Sequence, residues 1–363
     1  MREIIDDLLR WRSEGMSCAV ARVVDLEGSG PRDPGAAMAV SADGEVVGSV
    51  SGGCVEGAVV SEALDVMATG ERRVVSFGYS DADAVAVGLT CGGTVRLYVE
   101  PFTGTVFEEF QKRIANRLPA SLATAISGPG TGRTALVSPD SETVGTLGNA
   151  DLDRVVVRDA RGELEAGRSL VRHYGEHGEA GETEVSVFIE SFAPPPTMLI
   201  AGAVDFTAAL VRVASTLGFV VTVCDAREVF ATPERFPGAT DVIVSWPQAV
   251  IEKLATALGP RDAVCILTHD AKFDVPAIVA ALETDVGYIG VMGSRRTHDD
   301  RVLRLRDAGV DDAGLARLRA PIGLDIGART PEETAVSICA EIIALRTGTD
   351  APALTDGTGP IHR

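Results

Sequence analysis

The chain has 363 residues, 45% of them hydrophobic, with a formal net charge of −19 and a pI near 4.7. This length and composition predict a globular protein of two domains, each with its own core. The acidic balance argues against nucleic acid or an anionic membrane as a partner, because the long-range field repels polyanions. A local anion pocket of a few arginines and backbone amides is still compatible with that charge.

The six cysteines lie far apart and show neither C-x-x-C nor zinc-finger spacing. With five histidines as well, the chain is not expected to hold a dedicated metal cage. Residues 1–12 are charged and amphipathic, unlike a signal peptide, and no run of about 18 apolar residues is present. We therefore expect a cytoplasmic protein with free thiols.

The first part of the chain predicts a helix over 1–11 and a strand over 18–24. A loop of turn-forming residues follows at 28–35, with Arg32 between Pro31 and Pro34. Strands at 36–40 and 46–50 are joined by an Asp-Gly turn, which is typical of a hairpin. The Arg32 loop and the segment after the hairpin are therefore expected to meet at one end of a sheet.

Paired glycines, Gly52 and Gly53, separate the strand at 46–50 from a predicted helix at 55–68. Such a junction lets the backbone turn sharply, and the free N–H groups of the helix start favour an anion. Cys54 at the head of that helix would have its thiolate form favoured. The alternatives are a tight turn without a ligand and a Glu56 that only complements the helix dipole.

A second cysteine-glycine motif, Cys91-Gly92-Gly93, precedes a predicted strand at 94–99. Two such motifs in one domain predict a single site, formed together with Arg32. Buried cysteines and an Arg32 paired with a carboxylate are the structural alternatives. Further on, a helix is predicted at 106–117 and strands at 122–126, 135–137 and 185–189, whereas residues 138–184 show no regular pattern.

Residues 194–197, with three prolines at 194–196, predict an extended interdomain linker. Beyond it, strands at 198–201, 220–224, 241–244, 263–267 and 287–291 alternate with helices at 206–217, 248–258 and 275–282. The pattern predicts an α/β fold: a Rossmann-like, doubly wound parallel sheet at 198–347, preceded by an α+β domain at 1–193. A helix begins near Pro331, with Ala335, Ile338, Cys339, Ile342 and Ile343 on its apolar face, and residues 348–363 are predicted to be a tail.

In the second domain, Gly202 ends the first strand and Asp225 ends the second, as in folds where the glycine turn approaches a pyrophosphate and the acid binds ribose. Val204 stands where the glycine motif has its second glycine, and Asp205 adds a negative charge where none is expected. NAD(P) binding and a lost or changed ligand therefore both stay open. Ser294 and Arg295 are candidate phosphate contacts at a later strand end, and His269 at another strand end has either a structural or a functional role.

The motifs Gly30-Pro31-Arg32, Ser51-Gly52-Gly53-Cys54-Val55-Glu56, Cys91-Gly92-Gly93 and Gly293-Ser294-Arg295-Arg296 together resemble the XdhC/CoxI family. The resemblance covers almost the whole chain except the middle region and the tail. Members of this family mature molybdenum hydroxylases such as xanthine dehydrogenase and carbon monoxide dehydrogenase. One departure is Gly202-Ala203-Val204-Asp205, where members usually carry Gly-Ala-Gly-His.

The resemblance implies transient binding of the molybdenum cofactor, help with its sulfuration, and delivery to an apo molybdenum hydroxylase. It further implies a cysteine desulfurase as a second partner, and a homodimer is compatible with the family pattern. Cys54 or Cys91 would contact molybdenum, since thiolates suit soft metal centres. The protein would thus be an insertion chaperone rather than an enzyme, although members are often labelled as xanthine dehydrogenase.

Two other hypotheses remain open. One is an NAD(P)-dependent oxidoreductase that uses the second domain. The other is a partner-binding protein whose Rossmann domain is vestigial.

Overall fold

The computed structural model describes residues 1–27, 32–78 and 93–356. The chain divides into two compact units: unit 1 contains Met1–Pro194 and unit 2 contains Pro195–Asp356. Among the described residues, no helix has both the length and the hydrophobicity that a membrane crossing requires.

Unit 1 contains two antiparallel five-stranded sheets, A and B. The helices described in this unit are α1 (Ile5–Ser13), α2 (Glu56–Thr69), α3 (Val106–Ala115) and α4 (Ala150–Ala166). Sheet A contains β1 (Cys18–Glu27), β2 (Ala37–Ser41), β3 (Val46–Gly48), β4 (Arg73–Phe77) and β5 (Thr94–Pro101). Sheet B contains β6 (Ala120–Ser127), β7 (Thr134–Val137), β8 (Val144–Gly145), β9 (Leu170–Tyr174) and β10 (Val185–Phe192).

The two sheets repeat one another in topology. Sheet A has the strand order β3-β2-β1-β5-β4, and sheet B has the order β8-β7-β6-β10-β9. Each sheet is preceded by one helix, and a second helix follows its third strand. The two registers correspond as well, because β2 pairs with β3 at Met38 and Gly48, and β7 pairs with β8 at Ala135 and Gly145. Over the residues that the structure describes, unit 1 is therefore an internal repeat of one α-βββ-α-ββ motif.

The repeat is visible without a gap over residues 37–63 and 134–160. Gly48 and Gly145 correspond, both have positive φ (78° and 91°), and in both a Cβ would collide with a backbone oxygen of the neighbouring strand. Glycine is therefore required at both places. Buried residues at matching positions are Val50 and Leu147, Val55 and Leu152, Val59 and Val156, and Ala63 and Ala160.

Sheets A and B face each other across a cluster made of matching pairs. The apolar part combines Val24 with Ile126, Tyr98 with Phe188, and Val74 with Val171. Glu100 on β5 and Glu190 on β10 also match, and both are buried. The position of Arg22 on β1 corresponds to Thr124 on β6. The core between the sheets thus contains matching residues from the two copies, except that Arg22 of the first copy is replaced by Thr124 in the second.

Arg22 connects the two halves of this core. Its Nη2 donates to Glu100 Oε1 at 2.5 Å, and its Nη1 donates to Glu190 Oε2 at 2.7 Å and to Thr124 Oγ1 at 3.2 Å. Its guanidinium carbon lies 5.6 Å from the Tyr98 ring centroid and 5.9 Å from that of Phe188. Burial opposes the charge, but Glu190 and Glu100 outweigh it and raise the pKa of Arg22. Arg22 therefore stays charged in a closed environment.

The outer faces of the sheets are covered by helices α2 and α4. Helix α2 buries Val59, Ala63 and Val66 against sheet A. Helix α4 buries Leu152, Val156 and Ala160 against sheet B, and Leu164 is buried on the same helix. The region 138–184, which showed no pattern in the sequence, therefore contains α4 together with β8 and β9. The helical spacing of these four residues is masked there by a run of valines and by many charges on the exposed face.

Unit 2 is a three-layer α/β fold around a six-stranded parallel sheet. Its strands are β11 (Thr197–Ala201), β12 (Val220–Asp225), β13 (Asp241–Val244), β14 (Ala263–Ile266), β15 (Tyr288–Val291) and β16 (Leu318–Arg319), in the order β13-β12-β11-β14-β15-β16. Its helices are α5 (Asp205–Thr216), α6 (Pro247–Leu254), α7 (Ala271–Leu282), α8 (Arg295–Asp307), α9 (Asp312–Ala316) and α10 (Pro331–Thr347).

The structure confirms the predicted fold class of an α+β region followed by a Rossmann-type parallel sheet. The short strand β16 was not predicted. On the last helix, Ile343 is 38% exposed and so lies outside the buried face to which the sequence pattern had assigned it.

We predict that Arg22→Met lowers the free energy of unfolding of unit 1 by about 3–5 kcal/mol, because two buried carboxylates lose their shared cation. Urea unfolding in a Trp246→Phe background would measure this, since buried Trp11 then reports on unit 1 alone. Arg154→Met is the control: this exposed arginine pairs with Asp151 alone among the described residues, and its loss should cost about 1 kcal/mol or less. A change of that small size for Arg22→Met would contradict the role of the cluster.

Candidate functional site

One edge of sheet A collects the segments that the sequence singled out. Thr94 at the start of β5 pairs with Glu27 at the end of β1, and Met38 near the start of β2 pairs with Gly48 at the end of β3. The loop carrying Arg32, the turn after β3 and Gly93 therefore lie along the same edge. Cys91 and Gly92 lie outside the described residues, as do residues 28–31.

Arg32 touches the segment that leads into the glycine turn. Its Nε donates to Ser49 O at 3.4 Å, and its guanidinium lies 3.7 Å from the Glu3 carboxylate. Beside it is a cavity of about 540 Å³ lined by Met1, Arg2, Glu3, Ile4, Arg32, Asp33, Pro34, Gly35, Ala36, Ala37 and Phe192. The loop and the turn are thus in contact, and Arg32 lines an accessible space next to them.

Glu56 holds the turn from residue 49 to residue 55 in place. Its carboxylate accepts hydrogen bonds from the hydroxyls of Ser49 (2.7 Å) and Ser51 (2.5 Å) and from the backbone N–H groups of Ser51, Gly53 and Val55 at 2.9–3.2 Å. Burial opposes ionisation of Glu56, but these hydrogen bonds outweigh it and lower its pKa to about 2. Glu56 is therefore more than a partner of the helix dipole, because it shapes the turn.

The amides of the turn are already engaged. Glu56 takes three of them, Gly52 N donates to Ser49 Oγ at 3.0 Å, and Cys54 N donates to Ser51 Oγ at 3.0 Å. The sequence predicted that these N–H groups would receive an external anion. In the structure, the carboxylate of Glu56 occupies that position instead, so a ligand of this turn would meet its side chains and the surface of its glycines.

The second copy of the motif shows what the same segment does without this arrangement. There Asp153 takes the place of Glu56 and accepts from Thr146 Oγ1 at 2.6 Å and Leu147 N at 2.7 Å. Asn149 caps the helix, and α4 begins at Ala150, the position that corresponds to Gly53. In the first copy, α2 begins three positions later, at Glu56. Residues 53–55 therefore lie outside helix α2 in the first copy, whereas the corresponding residues 150–152 form the first turn of α4 in the second.

The two glycines make this unwound turn possible. Gly52 has φ +77° and Gly53 has φ +120°, and no atom lies within 4 Å of a Cβ added at either. Their positive φ, and not crowding, demands glycine at both positions. The result is an open stretch of backbone immediately before Cys54, whose counterpart in the second copy is Asp151.

Cys54 differs from the other cysteines that the structure describes. Cys54 is partly exposed, whereas Cys18, Cys224, Cys265 and Cys339 are buried. Burial raises the pKa of all four, for example to about 11 for Cys18 and about 12 for Cys224. Within the described ranges, no group of three or more His, Cys, Asp or Glu side chains could hold a metal ion by itself. Cys54 is thus a candidate for one contact to a metal centre that brings its own ligands.

In unit 2, Gly202 and Asp225 lie at the carboxyl edge of the sheet. Gly202 has φ +112°, and a Cβ there would lie 2.9 Å from Thr268 Cγ2 and 3.1 Å from Thr268 N, so the turn needs glycine. Asp225 Oδ2 accepts from Ala203 N at 2.8 Å, which ties the end of β12 to this turn. The positions of both residues agree with a dinucleotide-type crevice.

The later strand ends carry the other predicted residues. Ser294 is the N-cap of α8 and accepts from Thr297 N at 3.1 Å, and Arg295 is exposed in the first turn. His269 is exposed as well. A buried network that sequence reasoning missed lies at the same edge: Arg301 Nη2 donates to Asp274 Oδ2 at 3.1 Å and to Met292 O at 2.9 Å. Their helical positions gave no signal that distinguishes them from surface residues.

Fold and site define a two-unit protein with a cysteine-bearing glycine turn in an α+β unit and a Rossmann-type second unit. The family model described as "XdhC and CoxI family" matches residues 11–78 and 114–175, and the one described as "XdhC Rossmann domain" matches residues 198–342. The chain belongs to the XdhC/CoxI family. The match includes much of the middle region, which the sequence resemblance had left out.

Three similar proteins illustrate the relationship. Uncharacterized protein YqeB of Escherichia coli K12 is 29% identical over 66% of this chain, which spans about half (46%) of YqeB. Molybdenum cofactor insertion chaperone PaoD of Escherichia coli K12 is 24% identical over 92% of this chain and 84% of PaoD. The crystal structure of a xanthine dehydrogenase from Bacillus halodurans is 26% identical, with a TM-score of 0.65 over 96% of this chain and 98% of that one.

We predict that Cys54 reacts with N-ethylmaleimide in the native protein at least about tenfold faster than the four buried cysteines, because thiol reactivity follows exposure and thiolate fraction. Peptide mass spectrometry at increasing reaction times would measure this. In concentrated urea the difference should disappear. Equal native rates for Cys54 and Cys224 would show that the turn is closed.

We predict that Glu56→Gln lowers the free energy of unfolding of unit 1 by about 1–2 kcal/mol at pH 7, because charge-assisted hydrogen bonds are replaced by weaker ones. The folded-state pKa of about 2 lies below the ordinary value of 4.5, so the ionised carboxylate stabilises the fold above pH 4.5. That stabilisation is lost as the pH falls towards 2. Urea unfolding at several pH values should therefore show the difference between wild type and variant shrinking below pH 4.5; a constant difference would contradict the assignment.

Proposed function

We propose that this protein binds the molybdenum cofactor, assists its sulfuration, and inserts it into a molybdenum hydroxylase of the xanthine dehydrogenase or carbon monoxide dehydrogenase type. The relatives support this proposal through the name of PaoD, a molybdenum cofactor insertion chaperone that matches this chain over most of its length. The partner would be the apo enzyme, and a cysteine desulfurase would supply the sulfur.

The observation that carries the proposal is the difference between the two copies of the motif. The scaffold is the same in both, yet only the first copy keeps the start of its helix unwound and replaces an aspartate by a cysteine. Positive φ at two consecutive positions and an exposed backbone are costly for a turn that serves the fold alone, and the second copy folds without them. The unwound turn is therefore best explained as a ligand site.

The chemistry of the turn suits a molybdenum centre as cargo. Cys54 offers one soft thiolate, which favours a metal coordinated by sulfur. The described residues provide no metal cage, so the molybdenum would keep the ligands of its cofactor and gain at most one contact. Arg32, next to the turn, would pair with the cofactor phosphate, because guanidinium groups bind phosphate through several hydrogen bonds. Cys91, Gly92 and Gly93 are proposed to complete the site from the start of β5.

We predict that the reduced protein, incubated with isolated molybdenum cofactor, co-elutes with molybdenum on gel filtration, as measured by metal analysis. A variant that carries the second copy's residues in the first (Ser51→Gly, Gly52→Asn, Gly53→Ala, Cys54→Asp) should remain folded and retain at least about tenfold less molybdenum. Its helix should begin earlier, because the second copy's cap replaces the glycines.

Two further variants separate the causes. Cys54→Ser tests the thiol without altering the turn, and Arg154→Met, at the position that corresponds to Gly57, serves as a control in the second copy. Molybdenum should be lost with the former and kept with the latter. If wild type retains no molybdenum, or if the exchanged variant retains as much as wild type, the proposal is refuted.

A further inference from the structure

The sheet order of unit 2, β13-β12-β11-β14-β15-β16 with all strands parallel, corresponds to the order 3-2-1-4-5-6 of dinucleotide-binding folds. In such a sheet, the ligand lies across the carboxyl ends of the strands at the place where the order reverses, here between β11 and β14. The adenosine half then lies over the end of β12. The residues that follow β12 therefore decide which ribose is accepted.

Asp225, whose carboxylate would accept hydrogen bonds from an unmodified ribose, already accepts them from protein groups. Asp225 Oδ1 accepts from Arg227 N and Arg227 Nε, both at 2.9 Å. Its Oδ2 accepts from Ala203 N at 2.8 Å and Arg227 Nη2 at 2.7 Å. A carboxylate has about four acceptor positions, so none is left for a ribose diol. Burial opposes ionisation, but Arg227 and the N–H group of Ala203 outweigh it and lower the pKa of Asp225, which keeps this pair charged.

A second arginine lies beside the first. Arg227 and Arg235 have their guanidinium carbons 4.6 and 5.6 Å from the centroid of the same ring, that of Phe230. Arg235 Nη1 also donates to Ala203 O at 3.3 Å and to Phe230 O at 3.0 Å, which fixes it to the glycine turn. The Arg227 side chain is 46% exposed, and its Nη1 has no partner among the described residues. At the ribose position, the side chains of Arg227 and Arg235 therefore present positively charged hydrogen-bond donors.

The two departures from a standard glycine turn do not obstruct this site. Val204 has φ −120°, which requires no glycine, and it packs against the hydrophobic core of unit 2. Asp205 lies 3.7 Å from the guanidinium of Arg235, which offsets its charge. The sequence predicted a side chain and a negative charge in the phosphate path. The structure instead places the Val204 side chain against the core and the Asp205 carboxylate next to Arg235.

An aromatic surface for a base is present at the neighbouring strand end. Trp246, which follows β13, is 47% exposed, and its ring centroid is 4.9 Å from that of Phe273. Ser245 N donates to Asp225 O at 3.1 Å, so this segment is bonded directly to the end of β12. A half-exposed indole gives a base an apolar face to stack on.

We propose that unit 2 binds a nucleotide whose adenosine carries a 2′-phosphate, that is NADP(H) in preference to NAD(H), with Arg227 and Arg235 on the 2′-phosphate and Trp246 beside the adenine. A 2′-phosphate provides the acceptors that two guanidinium groups require, whereas a free 2′-hydroxyl would need the carboxylate that Arg227 occupies. This site lies within unit 2, and its ligand contains no metal.

Calorimetry on the full-length protein with NADP+, NAD+, 2′,5′-ADP and 5′-AMP tests the proposal. We expect NADP+ to bind at least about tenfold tighter than NAD+, and 2′,5′-ADP at least about tenfold tighter than 5′-AMP, because charge-assisted pairs to one phosphate are worth that much. Arg227→Ala and Arg235→Ala should each reduce these ratios. Arg212→Ala, which removes an exposed arginine of α5 paired with Glu332, should leave them unchanged.

Absence of heat with NADP+ and 2′,5′-ADP would overturn the proposal, and so would equal affinities for the phosphorylated and unphosphorylated members of each pair. The wild-type ratios decide the matter even if Arg227→Ala does not fold. Molybdenum retention is measured separately and does not depend on this ligand. A protein that retains molybdenum but binds no nucleotide would refute this inference alone.

Discussion

The fold of unit 1 depends on one buried cation shared by two acids. Arg22 lies between Glu100 and Glu190, which occupy matching positions in the two sheets. Each carboxylate by itself would be very unfavourable in this closed space. Arg22 compensates both, with the N-terminal ammonium 3.9 Å from Glu190 and Arg72 Nε 3.6 Å from Glu100 as further partners. The interaction is also specific, since the guanidinium must face both sheets at once. It therefore sets the register in which the two copies of the motif pack.

The repeat explains how one scaffold can carry a site on one side only. Both copies need a glycine at the end of the third strand, a buried residue two positions later, and an acid that accepts a hydrogen bond from the hydroxyl of the preceding segment. These are requirements of the fold. Apart from these shared features, the first copy has an unwound turn with two glycines and a cysteine that the second copy lacks. The second copy thus serves as an internal reference that distinguishes the candidate site residues from those that the fold requires.

Much of the fold follows from the sequence because its signals are local. The strand-helix alternation after the prolines predicts the Rossmann-type unit, and Gly52, Gly53 and Cys54 stand out as a turn before a helix. Helix α4 was missed because its apolar stripe is interrupted by valines on other faces and by charges. The repeat was missed because the segments that align without a gap, 37–63 and 134–160, share few identical residues, whereas topology and register carry the correspondence. Long-range contacts such as Arg22 with Glu190 leave no local pattern.

For the candidate site, the sequence predicted the positions of several residues but not the hydrogen bonds that they form. Arg32 near the turn, Gly202 and Asp225 follow from their positions at strand ends. The occupation of the turn amides by Glu56 and of Asp225 by Arg227 could not be derived, because each depends on side-chain geometry across a bend. In both cases, a group expected to bind a ligand is satisfied by a neighbour from the same segment.

The single arginine also makes the two halves of unit 1 unequal in their dependence on each other. At the position of Arg22, the second half has Thr124, so by itself it would bury Glu190 without a countercharge. The first half contains Glu100 together with Arg22, Arg72 and the N-terminal ammonium, so its own buried acid is compensated internally. During synthesis the first half emerges earlier, and it can supply the cation when the last strand of sheet B arrives. The order of the two halves along the chain thus matches the order in which their charges can be compensated.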